Sequence, residues 1–292
     1  MLELIVNPIA GKGKSLKNLE HAEKVFKERG VEYRVHKTEK YGHATEIAKE
    51  LTSKGEQVSL AVFGGDGTFN EVLNGIVDFE KTTVGFVPSG TGNDYVKVTD
   101  IPTEGDQALE RILAGKTGYT DFIQMENKRC LNVAGGGMDT DTLVTYNSMK
   151  VFKGKMKYYA SLLKVLAKCK CHKVRISIDG GTPAEKTVFM IAIANGKYIG
   201  GGMPISPHSD INDGKLNVVI VNEINRLQVL PMLLKFLNGG KHIESKFVEE
   251  YLCDSAKLEM LDECKVQADG EILEDRVLDC RVVHDTLKIF IA

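Results

Sequence analysis

The chain has 292 residues, of which 42% are hydrophobic and 27% charged, and a formal net charge of −2. That balance is ordinary for a globular protein and gives no global reason to bind nucleic acid. No run of ~18 apolar residues is present to span a bilayer, and six cysteines without a framework spacing suit a reducing cytoplasm. Residues 2–6 read as a first strand, without the basic flank and long apolar core of a signal peptide. Ser15 is placed as the cap of a helix that carries Leu16, Leu19 and Phe26 and stops at Gly30. A strand over 31–37 follows, then a helix over 43–54 with Ala44, Ile47, Ala48 and Leu51 inward. Apolar runs at 58–63 and 83–87 read as buried strands, separated by a helix with Val72, Leu73 and Ile76 on one face. A helix over 107–114 and a strand over 119–124 complete an alternation that implies a parallel sheet.

Beyond residue 125 the pattern changes. Runs at 174–179 and 187–194 flank Asp179-Gly180-Gly181, a hairpin signal. Short strands at 216–221, 246–252, 256–261 and 265–268 follow, interrupted by amphipathic helices at 157–169 and 227–238. The expected fold is therefore α/β plus all-β: a doubly wound domain over 1–125 and a β-sandwich over 126–279. A last strand at 286–291, within a segment of about 280–292, could return to either.

Residues 64–68, Gly-Gly-Asp-Gly-Thr, stand at a strand-to-helix turn. Backbone N–H groups there can face an anion, the helix N-terminus adds positive potential, and glycine lets phosphate approach closely. Asp66 amid the glycines would repel phosphate unless a divalent cation or a hydroxyl lies between. Residues 88–94, Pro-Ser-Gly-Thr-Gly-Asn-Asp, follow the next strand. Their hydroxyls can donate to phosphate, and Asn93 or Asp94 can cap a short helix. Two such loops at successive strand ends fit ligand binding at the carboxyl edge of an open sheet. Residues 8–15 are one residue from a P-loop, but Pro8 stands where the first glycine must be and cannot take positive φ or donate an N–H. Cys169-x-Cys171-His172 lacks a second ligand pair at finger spacing, which argues against a zinc finger.

With both glycine loops, the sequence resembles the catalytic domain of soluble bacterial diacylglycerol kinases and related lipid kinases. That group is similar to sphingosine kinases and, more distantly, to phosphofructokinases and NAD kinases. The resemblance covers nearly the whole chain. Residues 7–12 (Asn-Pro-Ile-Ala-Gly-Lys) match the opening loop, 131–139 (Leu-Asn-Val-Ala-Gly-Gly-Gly-Met-Asp) a mid-chain segment, 212–216 an Asp-Gly turn, and 269–271 (Asp-Gly-Glu) a catalytic motif. It implies an ATP-dependent kinase using Mg²⁺, with chemistry in a cleft between the domains. The γ-phosphoryl group would pass to a membrane-lipid hydroxyl, diacylglycerol first, giving phosphatidic acid. A sphingoid alcohol, phosphatidylglycerol or NAD are the alternative acceptors; the Gly90–Asp94 loop and the Asp-Gly-Glu motif count against NAD. By resemblance, Asn7, Pro8, Gly64, Gly65, Gly67, Thr68, Ser89, Gly90, Thr91 and Asn93 hold the nucleotide. Asp66 positions its metal, Glu271 is the general base, and Lys12, Asp94 and Asp213 form a charged network with a structural Mg²⁺ near Asp213. Lys97 stands where the family has an arginine, which removes bidentate pairing there. A homodimer, and a cytoplasmic enzyme peripheral at the inner face of the cell membrane, are implied in the same way.

Between Tyr146 and Lys173 there are eight lysines and no acid. Such a segment is either a solvated helix face or an interfacial one, its lysines drawn to an anionic bilayer while apolar residues reach the acyl boundary.

Overall fold

A computed structural model describes residues 1–152 and 154–291, with backbone only at 154 and 155. Contacts divide the chain into two compact units. The first holds Met1–Phe122, Ile211–Asp213 and the C-terminal residues from Val283; the second holds Ile123–Asp210 and Gly214–Val282. The sequence division at 125 had left Ile211–Asp213 with the sandwich. In chain order the first nine elements are β1 (Leu2–Val6), α1 (Lys14–Arg29), β2 (Tyr33–Lys37), α2 (His43–Thr52), β3 (Val58–Gly64), α3 (Asp66–Gly75), β4 (Thr82–Pro88), α4 (Gly105–Ala114) and β5 (Thr117–Gln124). Then come β6 (Arg129–Cys130), β7 (Val133–Gly137), α5 (Met138–Ser148), α6 (Gly154–Lys168), β8 (His172–Ile178), β9 (Ala184–Ala194), β10 (Tyr198–Ile199) and β11 (Met203–Pro204). The last are β12 (Leu216–Asn222), α7 (Arg226–Leu237), β13 (Val248–Cys253), β14 (Ser255–Met260), β15 (Val266–Ala268), β16 (Glu271–Leu273) and β17 (Val277–Phe290).

In the first unit β1 pairs in parallel with β2 and β3, β3 with β4, and β4 with residues 288–289 of β17. Every residue of β1 is buried, as a parallel strand covered on both faces requires. Leu19, Ala22 and Phe26 of α1 lie one helical turn apart and pack on Leu4, Val6 and Phe63. The helix stops at Gly30, whose φ of 66° is the left-handed conformation that glycine accepts without strain. Because β1, β3 and β4 run the same way, their carboxyl ends bring Asn7, Gly64 and Ser89 to one edge of the sheet.

Two expected caps fall elsewhere. Gly13 is the N-cap of α1, and Ser15 lies inside the helix, donating to Asn7 O at 2.5 Å. Tyr95, not Asn93 or Asp94, precedes the short 3₁₀ turn Val96–Val98. In both cases the chain enters the helix from a loop already held by tertiary contacts, so a side-chain cap is not needed to stop it. Behind α3, Phe69 stacks on Phe86 at 4.8 Å and tilts against Tyr95 at 5.1 Å, all three nearly fully buried.

The second unit is antiparallel, with strand order β16-β15-β7-β9-β8-β14 and then the first part of β17, while β12 and β13 continue from the other side of β9. Asp179 and Gly180 both take positive φ, 48° and 67°, in the β8–β9 turn, as that hairpin demands. One apolar layer lies between the sheet faces around Ile191, Val218 and Leu258. Another lies beneath α6 and α7 around Leu162, Phe189 and Phe236. The final strand is 14 residues long instead of six: residues 277–281 pair with β14 before 288–289 join β4. Its early part alternates exposed and buried residues, so it shows no apolar run. Among the described residues no helix is long and apolar enough to cross a membrane.

Phe69→Ala removes the ring that joins α3 to β4 and to the 95 loop. The expected cost is about 3–5 kcal/mol, read as a fall in the denaturant midpoint at unchanged m-value.

Candidate functional site

The two glycine loops of the first unit are pressed together. Ser89 N donates to Gly64 O at 2.7 Å, continuing the β3–β4 ladder into the loops. A Cβ on Gly90 would stand 2.6 Å from the Gly65 Cα, and one on Gly64 would strike the Thr68 side chain at 2.5 Å. The opening loop closes over the same point: Gly11, Lys12 and Gly13 all have positive φ, and a Cβ on Gly11 would meet Ser89 O at 1.9 Å. Asn7 Nδ2 donates to Thr68 Oγ1 at 3.0 Å, and Asn18 Nδ2 donates to Ser89 Oγ at 3.0 Å. Three loops from three strands thus share one backbone-lined edge. Gly67 is different. A Cβ there meets nothing within 4 Å, so packing does not require a glycine. It lies in the first turn of α3, whose N-terminus has no side-chain cap. Exposed N–H groups, positive helix potential and an open approach are what a phosphate group needs. Asn93, at φ 50°, donates to Gly90 O at 3.3 Å while its buried Oδ1 has no hydrogen-bond partner among the described residues, an acceptor suited to a ligand hydroxyl.

Asp66 begins α3, and its Oδ1 accepts from Tyr95 N at 3.0 Å, which fixes the carboxylate against the second loop. Asp94 is nearly buried and pairs with Lys97 Nζ at 3.1 Å. The lysine replacing the family's arginine therefore still reaches the acid, through one contact. Lys12 does not join the expected network: it is exposed on its left-handed turn and makes no ion pair among the described residues. Asp213 sits in an exposed turn, and the buried Asp121 holds His284 Nδ1 at 2.7 Å. That hydrogen bond raises the His284 imidazole above its usual range, with Asp285 and Asp213 adding to it.

In the second unit the Asp269-Gly270-Glu271 segment has two separate tasks. Asp269, at φ 48°, accepts from the backbone N–H groups of Leu131, Asn132 and Val133 at 2.6, 2.9 and 3.2 Å. It is the anchor of the 131–137 segment. Glu271 opens β16 half-buried and is engaged by Lys128. Gln267 ties the turn to Asp139: its Oε1 accepts from Gly270 N at 2.9 Å, and its Nε2 donates to Asp139 Oδ2 at 3.1 Å. Burial pushes the Asp139 carboxyl up to about 6. Asp139 is the acidic edge of an otherwise apolar pocket lined by Met138, Leu162, Leu166, Phe189, Val229, Met232 and Phe236, with His242 at another edge.

Residues 1–125 match the family model of the diacylglycerol kinase catalytic domain, and 132–291 match that of the YegS C-terminal NAD kinase beta sandwich-like domain. The chain belongs to the diacylglycerol kinase family. A diacylglycerol kinase of Bacillus subtilis (strain 168) is 29% identical over 274 residues, 92% of this chain and 88% of that protein. The crystal structure of a proposed diacylglycerol kinase from Bacillus anthracis str. Sterne superimposes with a TM-score of 0.81 at 23% identity, covering 100% of this chain and 95% of that one. Yeast NADH kinase complexed with NADH shares the fold more loosely, at a TM-score of 0.52 and 10% identity, over 99% of this chain and 82% of that one.

As a lipid kinase of this family, the chain draws its phosphoryl group from ATP, and the glycine edge of the first unit has the features of an anion cradle. Near Asp213, Asp121 is paired with His284, and among the described residues no three His, Cys, Asp or Glu ligand atoms gather there. Lys128, Gln267 and Asp139 were not singled out from sequence. No spacing rule links 128 to 271, which only the strand pairings of β5–β6 and β15–β16 arrange.

Gly67→Ala adds a good helix former at a helical position with room for it, so stability is expected to hold or rise by up to about 1 kcal/mol. Nucleotide affinity should nevertheless fall at least about tenfold, because the methyl group stands in the phosphate approach. Calorimetric titration of ATP and a thermal melt on the same sample check both halves.

Proposed function

We propose that this kinase transfers the γ-phosphoryl group of ATP to the hydroxyl of diacylglycerol at the surface of an anionic bilayer. The observation that carries the lipid acceptor is the apolar pocket of the second unit. Phosphoryl transfer itself needs only charge, position and a base; a long aliphatic wall serves the rest of the acceptor. ATP enters as its Mg²⁺ complex. Asp66 orients that cation through its waters, the α3 N-terminus and the Ser89–Asn93 loop neutralise the phosphates, and Glu271 receives the hydroxyl proton. Lys128 holds Glu271 in place until the acceptor arrives.

The helices that wall the pocket support a bilayer contact. Their inner faces line the pocket, and their outer faces carry exposed apolar residues. On α7, Leu227, Leu230, Leu234 and Leu237 are 87, 61, 59 and 57% exposed and fall on one stripe. Met156, Tyr159 and Leu163 of α6 are exposed as well. Lys150, Lys164 and Lys168 are exposed in the lysine-rich segment; Lys153 and the Lys155 side chain lie outside the described residues. A leucine moved from water to hydrocarbon contributes roughly 1.5–3 kcal/mol, and a lysine near an anionic surface about 1 kcal/mol. The α7 stripe therefore dominates.

Radiolabelled ATP supplied with mixed micelles of diacylglycerol, sphingosine or phosphatidylglycerol, and with soluble NAD, decides the acceptor. Diacylglycerol is expected to give the dominant product, and a dominant product on any other acceptor overturns the assignment. Glu271→Gln should lower kcat by about 10²–10⁴ at nearly constant nucleotide affinity. The double variant Leu230→Ser, Leu234→Ser should reduce turnover of vesicle-borne diacylglycerol at least about tenfold and leave a short-chain, water-soluble diacylglycerol unaffected. Equal loss on both substrates would place the leucines in the fold instead.

A further inference from the structure

His172 opens β8 and is completely buried. A buried imidazole is costly unless both ring nitrogens are engaged. Here each meets a carboxylate. Nε2 lies 3.0 Å from Asp141 Oδ2 on α5, and Nδ1 lies 3.0 Å from Asp262 Oδ2 in the turn between β14 and β15. Asp262 is itself fixed, accepting from Cys264 N at 3.0 Å. The same turn brings in the Cys264 thiol, which donates to Lys265 O at 3.3 Å. One ligand atom each from Asp141, His172 and Cys264 lie within 4.8 Å of one another. His172 and Cys264 are buried, whereas the Asp141 side chain is 28% exposed, so the triangle opens to solvent on one side.

We propose that Asp141, His172 and Cys264 bind a divalent transition-metal ion, Zn²⁺ by the type of their donors, with solvent completing the fourth position. One oxygen, one nitrogen and one sulfur suit zinc and do not suit Mg²⁺ or Ca²⁺, which take oxygen alone. Asp262 on Nδ1 is the outer carboxylate that metal-bound histidines use to fix ring orientation and tautomer. Tetrahedral zinc sets its ligand atoms about 3.3–3.6 Å apart. A separation of up to 4.8 Å must therefore close by at most about 1.5 Å, a shift within reach of a Cys264 side-chain rotation.

Charge also balances. Without metal, each ring nitrogen faces a carboxylate, Asp141 or Asp262, and this geometry favours the imidazolium. Asp141, His172 and Cys264 then sum to zero: carboxylate, imidazolium and thiol. Zn²⁺ with carboxylate, neutral imidazole and thiolate also sums to zero, with one proton released from Nε2 and one from the thiol. The ion enters without leaving an uncompensated charge in a buried place.

The site draws on residues far apart in sequence and not on the Cys169-x-Cys171 pair, both of whose thiols point to Ile224 O, at 3.3 and 3.8 Å. Its effect is to pin α5 to β8 and to the β14–β15 turn. Two and three residues before Asp141, Asp139 and Met138 line the apolar pocket, so the metal would hold one wall of it in place.

Co²⁺ titrated into the chelator-stripped protein is expected to bind one ion per chain and to give a thiolate-to-cobalt charge-transfer band that Zn²⁺ abolishes. Cys264→Ser should remove the band, Asp262→Asn should weaken binding about 10–100-fold, and Cys171→Ser should change neither. Should Cys264→Ser fail to fold, the wild-type protein still decides: Zn²⁺ must protect Cys264, and not Cys171, from alkylation as read by peptide mass spectrometry. Absence of a cobalt band at a tenfold excess of metal overturns the proposal, as does a band that survives Cys264→Ser or alkylation of Cys264 that Zn²⁺ does not slow. His172 would then remain an imidazolium between two aspartates.

Discussion

The contact between Gly65 and Gly90 is the constraint on which the first unit's ligand edge depends. Parallel pairing puts Gly64 opposite Pro88, so the chains leaving β3 and β4 must pass side by side. They pass with backbone touching backbone: a methyl group on Gly90 would stand 2.6 Å from the Gly65 Cα, and one on Gly65 would stand 3.0 Å from the Gly90 Cα. Once the loops are that close, the remaining polar contacts have fixed partners. Asn7 reaches Thr68, Asn18 reaches Ser89, and Asp66 reaches the amide of Tyr95. The edge is rigid because its parts are backbone, which loses little freedom when a ligand arrives.

The second unit solves a related problem with a carboxylate in place of glycine. Asp269 takes a left-handed conformation and gathers three amides of the 131–133 segment. A side chain that accepts three backbone N–H groups is a structural rivet, even inside a motif whose next-but-one residue is the candidate base. The division of labour within Asp-Gly-Glu explains why the segment is short: the anchor and the functional group must share one turn. Gln267 extends the anchor to Asp139, so polar groups at the edge of the apolar pocket are wired to the turn that presents Glu271.

The α7 helix shows how burial and exposure separate only in three dimensions. Its sequence has apolar residues on both sides, and a two-sided apolar helix is usually buried. Here Val229, Met232 and Phe236 face the core while four leucines face out. A protein acting on a lipid has a physical use for that surface, which a protein acting on a soluble nucleotide alone does not.

The order of strands and helices in the first 125 residues was legible because fully buried strands and one-faced helices carry strong periodic signals. The two glycine loops were legible because few backbone arrangements need so many glycines after a strand. What the residues by themselves did not reveal were the pairings between distant segments. Lys128 on Glu271 and Gln267 on Asp139 are outcomes of where side chains end after packing. Cys169-x-Cys171-His172 drew attention by adjacency, yet the cysteines end in the loop before β8 with their thiols on Ile224 O, while His172 opens the strand and faces Asp141 and Asp262. Local composition determined the elements and the phosphate loops, since those depend on backbone conformation and periodicity. Tertiary structure alone decided which charges met, because a contact between residues a hundred positions apart is set by sheet register and not by spacing.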